Sequence, residues 1–316
     1  MDSDDNQVTP AISGEVDRRG FLKCMAWAGT AMVWTLSGGA LSACQIGAAT
    51  PSGPKTKDLF FVQISDSHIG FKGPANANVT ATFQQAIDQI NALPKRPAFV
   101  MHTGDLTHLA SSAQFDTVRQ MLSTVKTAQT FQVPGEHDAF TGDEKLYMQF
   151  FGGTGKGTGW YSFDVNGVHF LALSNAVATE GMGHLGPDQL DFIKKDVAGL
   201  SSETPVVVFA HIPLFAMYPQ WGWSTDDSVQ ALSMLKRFGS LTVLNGHVHQ
   251  VMAKTEGKVR FYTARATAFP QPAPGAAPNP GPLTVPSTQL HAALGIREGT
   301  YTAADTHLAV KDDALG

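Results

Sequence analysis

The chain reads as an α/β fold, a four-layer α/β/β/α sandwich in which two mixed sheets are flanked by helices. Three observations predict it. Short apolar runs alternate with segments of helical period in the first half of the body. A hairpin signal and further strands follow in the second half. Five of the apolar runs end in short polar blocks, which places those blocks at strand ends.

The elements follow in order. Leu59 to Ile64 is an apolar run that leads into Asp66. Val79, Phe83, Ile87, Ile90 and Leu93 recur at steps of three and four, the helical period, and Pro94 and Pro97 end that helix. Ala98 to His102 is a second strand entering Gly104-Asp105. Phe115, Val118, Leu122 and Val125 mark a second helix, and Thr130 to Val133 a third strand, stopped by Pro134-Gly135. Trp160 to Val165, Asn166-Gly167 and Val168 to Leu173 form a hairpin signal, because Asn-Gly suits the tight turn between twisted strands. Pro187 to Val197 is a helix with Leu190, Ile193 and Val197 on one face. Val206 to Phe209 delivers His211, and Leu241 to Leu244 delivers Asn245 and the Gly246 block. Val259 to Thr263 is another strand, Gln271 to Pro286 a loop rich in Pro, Ala and Gly that could rim a site, and Gly299 to Val310 a candidate last strand.

The polar blocks are Asp66-Ser67-His68, Gly104-Asp105, Gly135-Glu136-His137-Asp138, Ala210-His211 and Gly246-His247-Val248-His249. Carboxylates and imidazoles at the ends of several strands can converge on one crevice. Mixed oxygen and nitrogen donors suit manganese, iron or zinc better than calcium. Gly104, Gly135 and Gly246 stand where a strand turns toward the site, and glycine tolerates any backbone angle there.

In order and spacing these blocks resemble the calcineurin-like metallophosphoesterases, over roughly Leu59 to Ala264. The resemblance is to the bacterial cyclic-nucleotide and glycerophosphodiester phosphodiesterase branch. It implies two divalent or trivalent metal ions (Mn, Fe or Zn). Asp66, His68 and His249 would hold the first, Glu136, His211 and His247 the second, and Asp105 would bridge them. It also implies that a metal-bridging hydroxide attacks the phosphate ester, His137 donates a proton to the leaving group, and Asp138 orients the His137 ring. The implied substrate is a small phosphate ester, either a diester or a broad range of monoesters. The alternative is a non-catalytic metal-binding scaffold of the same fold, its second site altered by Glu136.

Glu136 departs from the family, which has Asn there. The carboxylate brings a formal charge that should strengthen cation binding and weaken the attraction for a phosphate anion; otherwise it swings away and leaves the second site weak. His108 stands where the purple acid phosphatases carry a tyrosine ligand, which disfavours that branch. His108, Trp221 and Trp223 are candidates for substrate contact, with helix capping by His108 and loop packing of the tryptophans as the alternatives. His102 is expected behind the ligands, His169 as structural and His184 on a surface loop.

The formal charge is −5, and five acidic against three basic residues precede Cys44, so the body is acidic as well. That excludes a basic footprint for long nucleic acid but not a small phosphorylated substrate, because bound metal ions supply local positive charge. With 316 residues, 43% apolar and 16% charged, the chain can bury a large core in one or two domains.

Arg18-Arg19 precedes a moderately apolar stretch from Met25 to Leu41 and resembles a twin-arginine export signal. Leu41-Ser42-Ala43-Cys44 resembles a lipobox. The resulting division is a signal peptide over 1–43, a tether over 44–57 and the phosphoesterase domain over 58–316. The expected partners are the twin-arginine export machinery and a membrane anchoring a lipidated Cys44, and the expected location is the periplasm. Cleavage near Ala49 to a soluble protein ranks second. An uncleaved anchor ranks third, because the stretch is glycine-rich for a spanning helix of ~20 apolar residues. Cys24 and Cys44 are the only cysteines and lie outside the body.

Overall fold

The computed structural model describes residues 57–139, 144–152, 159–176, 181–302, 305 and 307–316. The export signal, the lipobox at Cys44 and nearly all of the tether lie outside them. Among the described residues no helix is long and apolar enough to cross a membrane.

Strands β1 (Leu59–Ile64), β2 (Val100–Thr103) and β3 (Thr130–Val133) run parallel. Two C-terminal strands extend this sheet, β10 (Gly295–Tyr301) antiparallel to β1 and β11 (Ala309–Ala314) antiparallel to β10, giving the order β11-β10-β1-β2-β3. The second sheet contains β4 (Tyr161–Val165), β5 (Val168–Leu173), β6 (Val206–Ala210), β7 (Leu241–Asn245), β8 (Met252–Glu256) and β9 (Val259–Thr263), in the order β4-β5-β6-β7-β9-β8. Its inner strands β5, β6, β7 and β9 are parallel, and β4 and β8 close its edges antiparallel.

Alternation along each strand divides the core into layers. Phe60, Val62 and Ile64 of β1 pack under helices α1 (Val79–Asn91) and α2 (Ser112–Leu122), against Phe83, Ile87, Phe115 and Val118. The short α3 (Lys145–Phe151) joins them. Leu59 and Phe61 point the other way and meet Phe170 and Phe209 of the second sheet. Phe61 stacks on Phe99 at 4.8 Å and meets Phe170 edge-on at 5.7 Å, a favourable pairing of ring quadrupoles. On the far side Leu171, Val206, Val208 and Val243 pack under α4 (Gly186–Val197) and α5 (Ser228–Leu235). The order is helix, sheet, sheet, helix, as the sequence predicts. A last helix, α6 (Ser287–Ala293), precedes β10.

Side chains fix the starts of α1 and α2. Asn78 accepts from the Ala81 amide, and Ser111 from the Gln114 amide. Ser111, not His108, therefore caps α2. The expected strand over Gly299 to Val310 is corrected to two antiparallel strands. Buried Arg297 on β10 is held by Asp312 of β11 and by the Thr263 carbonyl of β9, which ties the two sheets together. Gln271 to Pro286 contains no helix or strand.

Candidate metal centre

Parallel strands present their C-terminal ends on one edge of a sheet. Loops leaving β1, β2 and β3 carry Asp66, His68, Asp105 and the Glu136 block. Loops leaving β6 and β7 carry His211, His247 and His249. The chain turns sharply there. Seven non-glycine residues among those described have positive φ, and five are Asp66 (54°), His68 (41°), Asp105 (52°), His247 (66°) and His249 (56°). Such backbone costs free energy and concentrates where function demands it.

The glycines have two different reasons. Gly104 sits at φ 94°, and a Cβ there would lie 2.4 Å from His211 Nδ1. Gly135 and Gly246 do not have positive φ; they are needed for space. A Cβ would come within 2.2 Å of Asp105 Oδ1 at Gly135 and 2.1 Å of Ser65 Oγ at Gly246.

Two donor groups form. Asp66, His68, Asp105 and His249 offer ligand atoms within 4.8 Å of one another, and so do Glu136, His211 and His247. In the first, His249 Nε2 is 3.2 Å from both Asp66 Oδ1 and His68 Nε2, and His68 Nε2 is 3.4 Å from Asp105 Oδ2. In the second, Glu136 reaches His211 Nε2 at 2.9 Å and His247 Nδ1 at 2.8 Å. Asp105 Oδ2 stands 3.4 Å from His211 Nε2, so it faces both groups. The carboxylate of Glu136 points inward, which overturns the alternative in which it swings away.

Backbone carbonyls set the imidazole tautomers. His211 Nδ1 donates to Thr103 O at 2.7 Å and His249 Nδ1 to Phe269 O at 2.6 Å. A carbonyl can only accept, so each Nδ1 carries a hydrogen and Nε2 is the atom turned toward the centre. Buried His211 Nε2, Glu136 Oε2 and His247 Nε2 make no aligned hydrogen bond. Of these, His211 Nε2 and Glu136 Oε2 face each other in the second donor group, a setting that fits a cation.

The charges agree. Burial pushes the Asp66 carboxyl up, but the adjacent His249 and His211 rings outweigh it and hold it at about 2. Burial would raise Glu136 too, and His247 and His211 hold it well below the usual range. Burial lowers His68, reinforced by the rings of His137, His249 and His108, so it is neutral as a ligand must be. Burial would also lower His211, but Asp105 and Glu136 raise it well above its ordinary value. Without a cation His211 holds a proton that a metal ion would replace.

His137 is placed by a different partner than expected. Its Nδ1 donates to His108 O at 2.8 Å, and the two rings stack at 4.8 Å. The ring-orienting role read for Asp138 is corrected. Both Asp138 oxygens are taken by Leu106 N, Thr107 N, Thr107 Oγ1 and Gly135 N, at 2.9 to 3.0 Å. Asp138 thus ties the Asp105 loop to the Glu136 loop. Burial and the Asp105 charge push its carboxyl up to about 7, against the pull of those amides. Burial lowers His137, yet Asp105 and Glu136 raise it overall.

Trp223 is fully buried and Trp221 nearly so, in a cluster with Val248. Stacking of Trp223 on a substrate is therefore corrected to packing behind the His247 loop. Trp221 lines a shallow cavity with Met182 and Pro280. His108 lies at the centre, its Nδ1 3.5 Å from His68 Nδ1. His102 is behind it, 2.9 Å from Ser67 Oγ, its ring driven down to about 3 by burial. His184 pairs with Asp226 on the surface. Gln271 donates to His247 O, so the Pro-rich loop begins against the site. Sequence reading missed Phe269, which stacks on His68 at 4.8 Å and supplies the carbonyl for His249. A backbone acceptor leaves no signal in residue type.

The calcineurin-like phosphoesterase family model matches residues 61–251. The chain belongs to that family. It is thus a metallophosphoesterase, a phosphoric ester hydrolase of a dinuclear metal-dependent class. This metallophosphoesterase is 21% identical over 263 residues to a glycerophosphodiester phosphodiesterase of Enterobacter lignolyticus, covering 79% of this chain and 93% of that one. It is 24% identical over 217 residues to a protein of Vesicomyosocius okutanii named "Probable cyclic nucleotide phosphodiesterase", covering 66% and 86%. In structure it is similar to a dimetal phosphatase from Danio rerio, with TM-score 0.60, 14% identity and coverage of 82% and 96%. A yellow lupin purple acid phosphatase gives TM-score 0.58 at 15% identity, covering 84% and 53%. Both structural likenesses show the fold.

Proposed function

We propose that the protein hydrolyses small phosphodiesters at a two-metal centre. Asp66, His68 and His249 hold one ion, Glu136, His211 and His247 the other, and Asp105 is shared. The observation that carries this reading is the pair of donor groups joined through Asp105, with His137 beside them. Ions held there would supply Lewis-acid stabilisation of phosphoryl charge and an ionised water at neutral pH.

The chain's own residues do the rest. His137 is fixed by the His108 carbonyl and ring, and its raised proton affinity suits donation from Nε2 to a leaving oxygen. Asp138 keeps the loops of Asp105 and His137 in register. The phosphodiesterase names of two relatives support the substrate class. Arg18-Arg19 and Cys44 support export by the twin-arginine route to the periplasm and anchoring through a lipidated cysteine.

The test is hydrolysis of bis-p-nitrophenyl phosphate by the metal-loaded protein, and of an alkyl phosphodiester by that protein and by His137→Ala. Turnover that falls about 10²- to 10⁴-fold in the variant is the expected result. No turnover by wild-type protein carrying two ions, or none lost in the variant, would overturn the reading.

A further inference from the structure

We propose that Glu136 shifts the selectivity of this centre away from phosphomonoester dianions and toward phosphodiester monoanions. The inference rests on the hydrolytic reading above and names the charge class its site accepts.

Glu136 spans the second donor group, one oxygen 2.8 Å from His247 Nδ1 and the other 2.9 Å from His211 Nε2. With Asp66 and Asp105 it makes three carboxylates facing one small cluster. Three carboxylates offset three of the four positive charges of two divalent ions. An amide at position 136 would leave one more positive charge for the substrate. Among the described residues, the charges that chiefly shift Asp66, Glu136, His68, His137 and His211 are imidazoles and carboxylates, and none is a lysine or arginine.

A bound phosphoryl group must sit within a few ångströms of these ligands. There a carboxylate repels a dianion with twice the energy it exerts on a monoanion, in surroundings that screen poorly. Both substrates offer similar oxygens, so the difference falls on total charge. Glu136 thus acts by repulsion against the wrong substrate, the usual route to discrimination between near-isosteres. Its pairing with two imidazoles keeps the carboxylate in place.

The test measures binding, separately from turnover. Protein loaded with manganese is titrated with dimethyl phosphate and with methyl phosphate at pH 8, as wild type, Glu136→Gln and Glu136→Asn, with metal content determined on each sample. Wild type is expected to favour the monoester by less than tenfold. In Glu136→Gln the diester-to-monoester affinity ratio should fall about tenfold or more, through tighter monoester binding. Wild type binding methyl phosphate tenfold more tightly than dimethyl phosphate would overturn the proposal, even if the variants lose metal. A ratio unchanged within twofold in variants that keep two ions would also overturn it. Selective binding without hydrolysis would keep the role of Glu136 and refute the hydrolytic reading instead.

Discussion

Histidines meet carboxylates in two regions of this molecule, and the two are built differently. On the β4–β5 edge, His169 lies between Asp164 and Asp196, with its two ring nitrogens 2.9 and 2.7 Å from carboxylate oxygens. That is an imidazolium clamped by counter-ions. At the strand ends, His211 and His249 give Nδ1 to backbone carbonyls and turn Nε2 toward carboxylates and toward another imidazole. There the backbone holds Nδ1 and leaves Nε2 as the atom that can face a cation. The same residue types thus serve as a salt bridge or as a ligand set, and the partner of the second ring nitrogen decides which.

The comparison can be broken at several points. Asp105→Asn should abolish turnover, a loss of about 10⁴-fold or more, and drop the metal content below two per chain. His137→Ala should lose about 10²- to 10⁴-fold with both ions retained, and lose less on a p-nitrophenyl ester than on an alkyl ester, whose leaving group needs the proton. Gly104→Ala should weaken metal affinity about tenfold or more, because its Cβ would displace the His211 ring. Stripping the metal should lower stability by about 3 to 4 kcal/mol for each ion relative to protein held at a hundred to a thousand times the dissociation constant, measured by urea denaturation.

The smallest effect belongs to the salt-bridge region. Burial lowers the proton affinity of His169, and Asp196 and Asp164 raise it overall. A folded-state value above the unfolded one stabilises fully below about pH 6.5, and the gain is lost as pH rises through the folded value. His169→Gln should therefore be less stable than wild type at pH 5.5 and approach it at pH 9, in paired denaturation curves. A deficit independent of pH would mean the ring acts by packing alone.

Most strands and all the ligand loops were legible, because buried parallel strands are apolar throughout and the polar blocks follow them directly. Edge and terminal elements were not. Strand β8 is almost wholly exposed and has no apolar alternation to read. Strand β10 carries buried Arg297, whose partners Asp312 and Thr263 are apparent only once the sheets are assembled. Helices α3 and α5 are short and start without a side-chain cap. At the site the ligand residues were readable and their orientation was not. The carbonyls of Thr103, His108 and Phe269 set three imidazoles, and no residue type announces a backbone acceptor.

The most direct test of the central claim is the number of metal ions per chain. Elemental analysis of the folded protein, joined to calorimetric titration of stripped protein with manganese, should give two sites. Saturation at one ion or none, with manganese, iron and zinc each in excess and the fold intact, would contradict the two-metal centre.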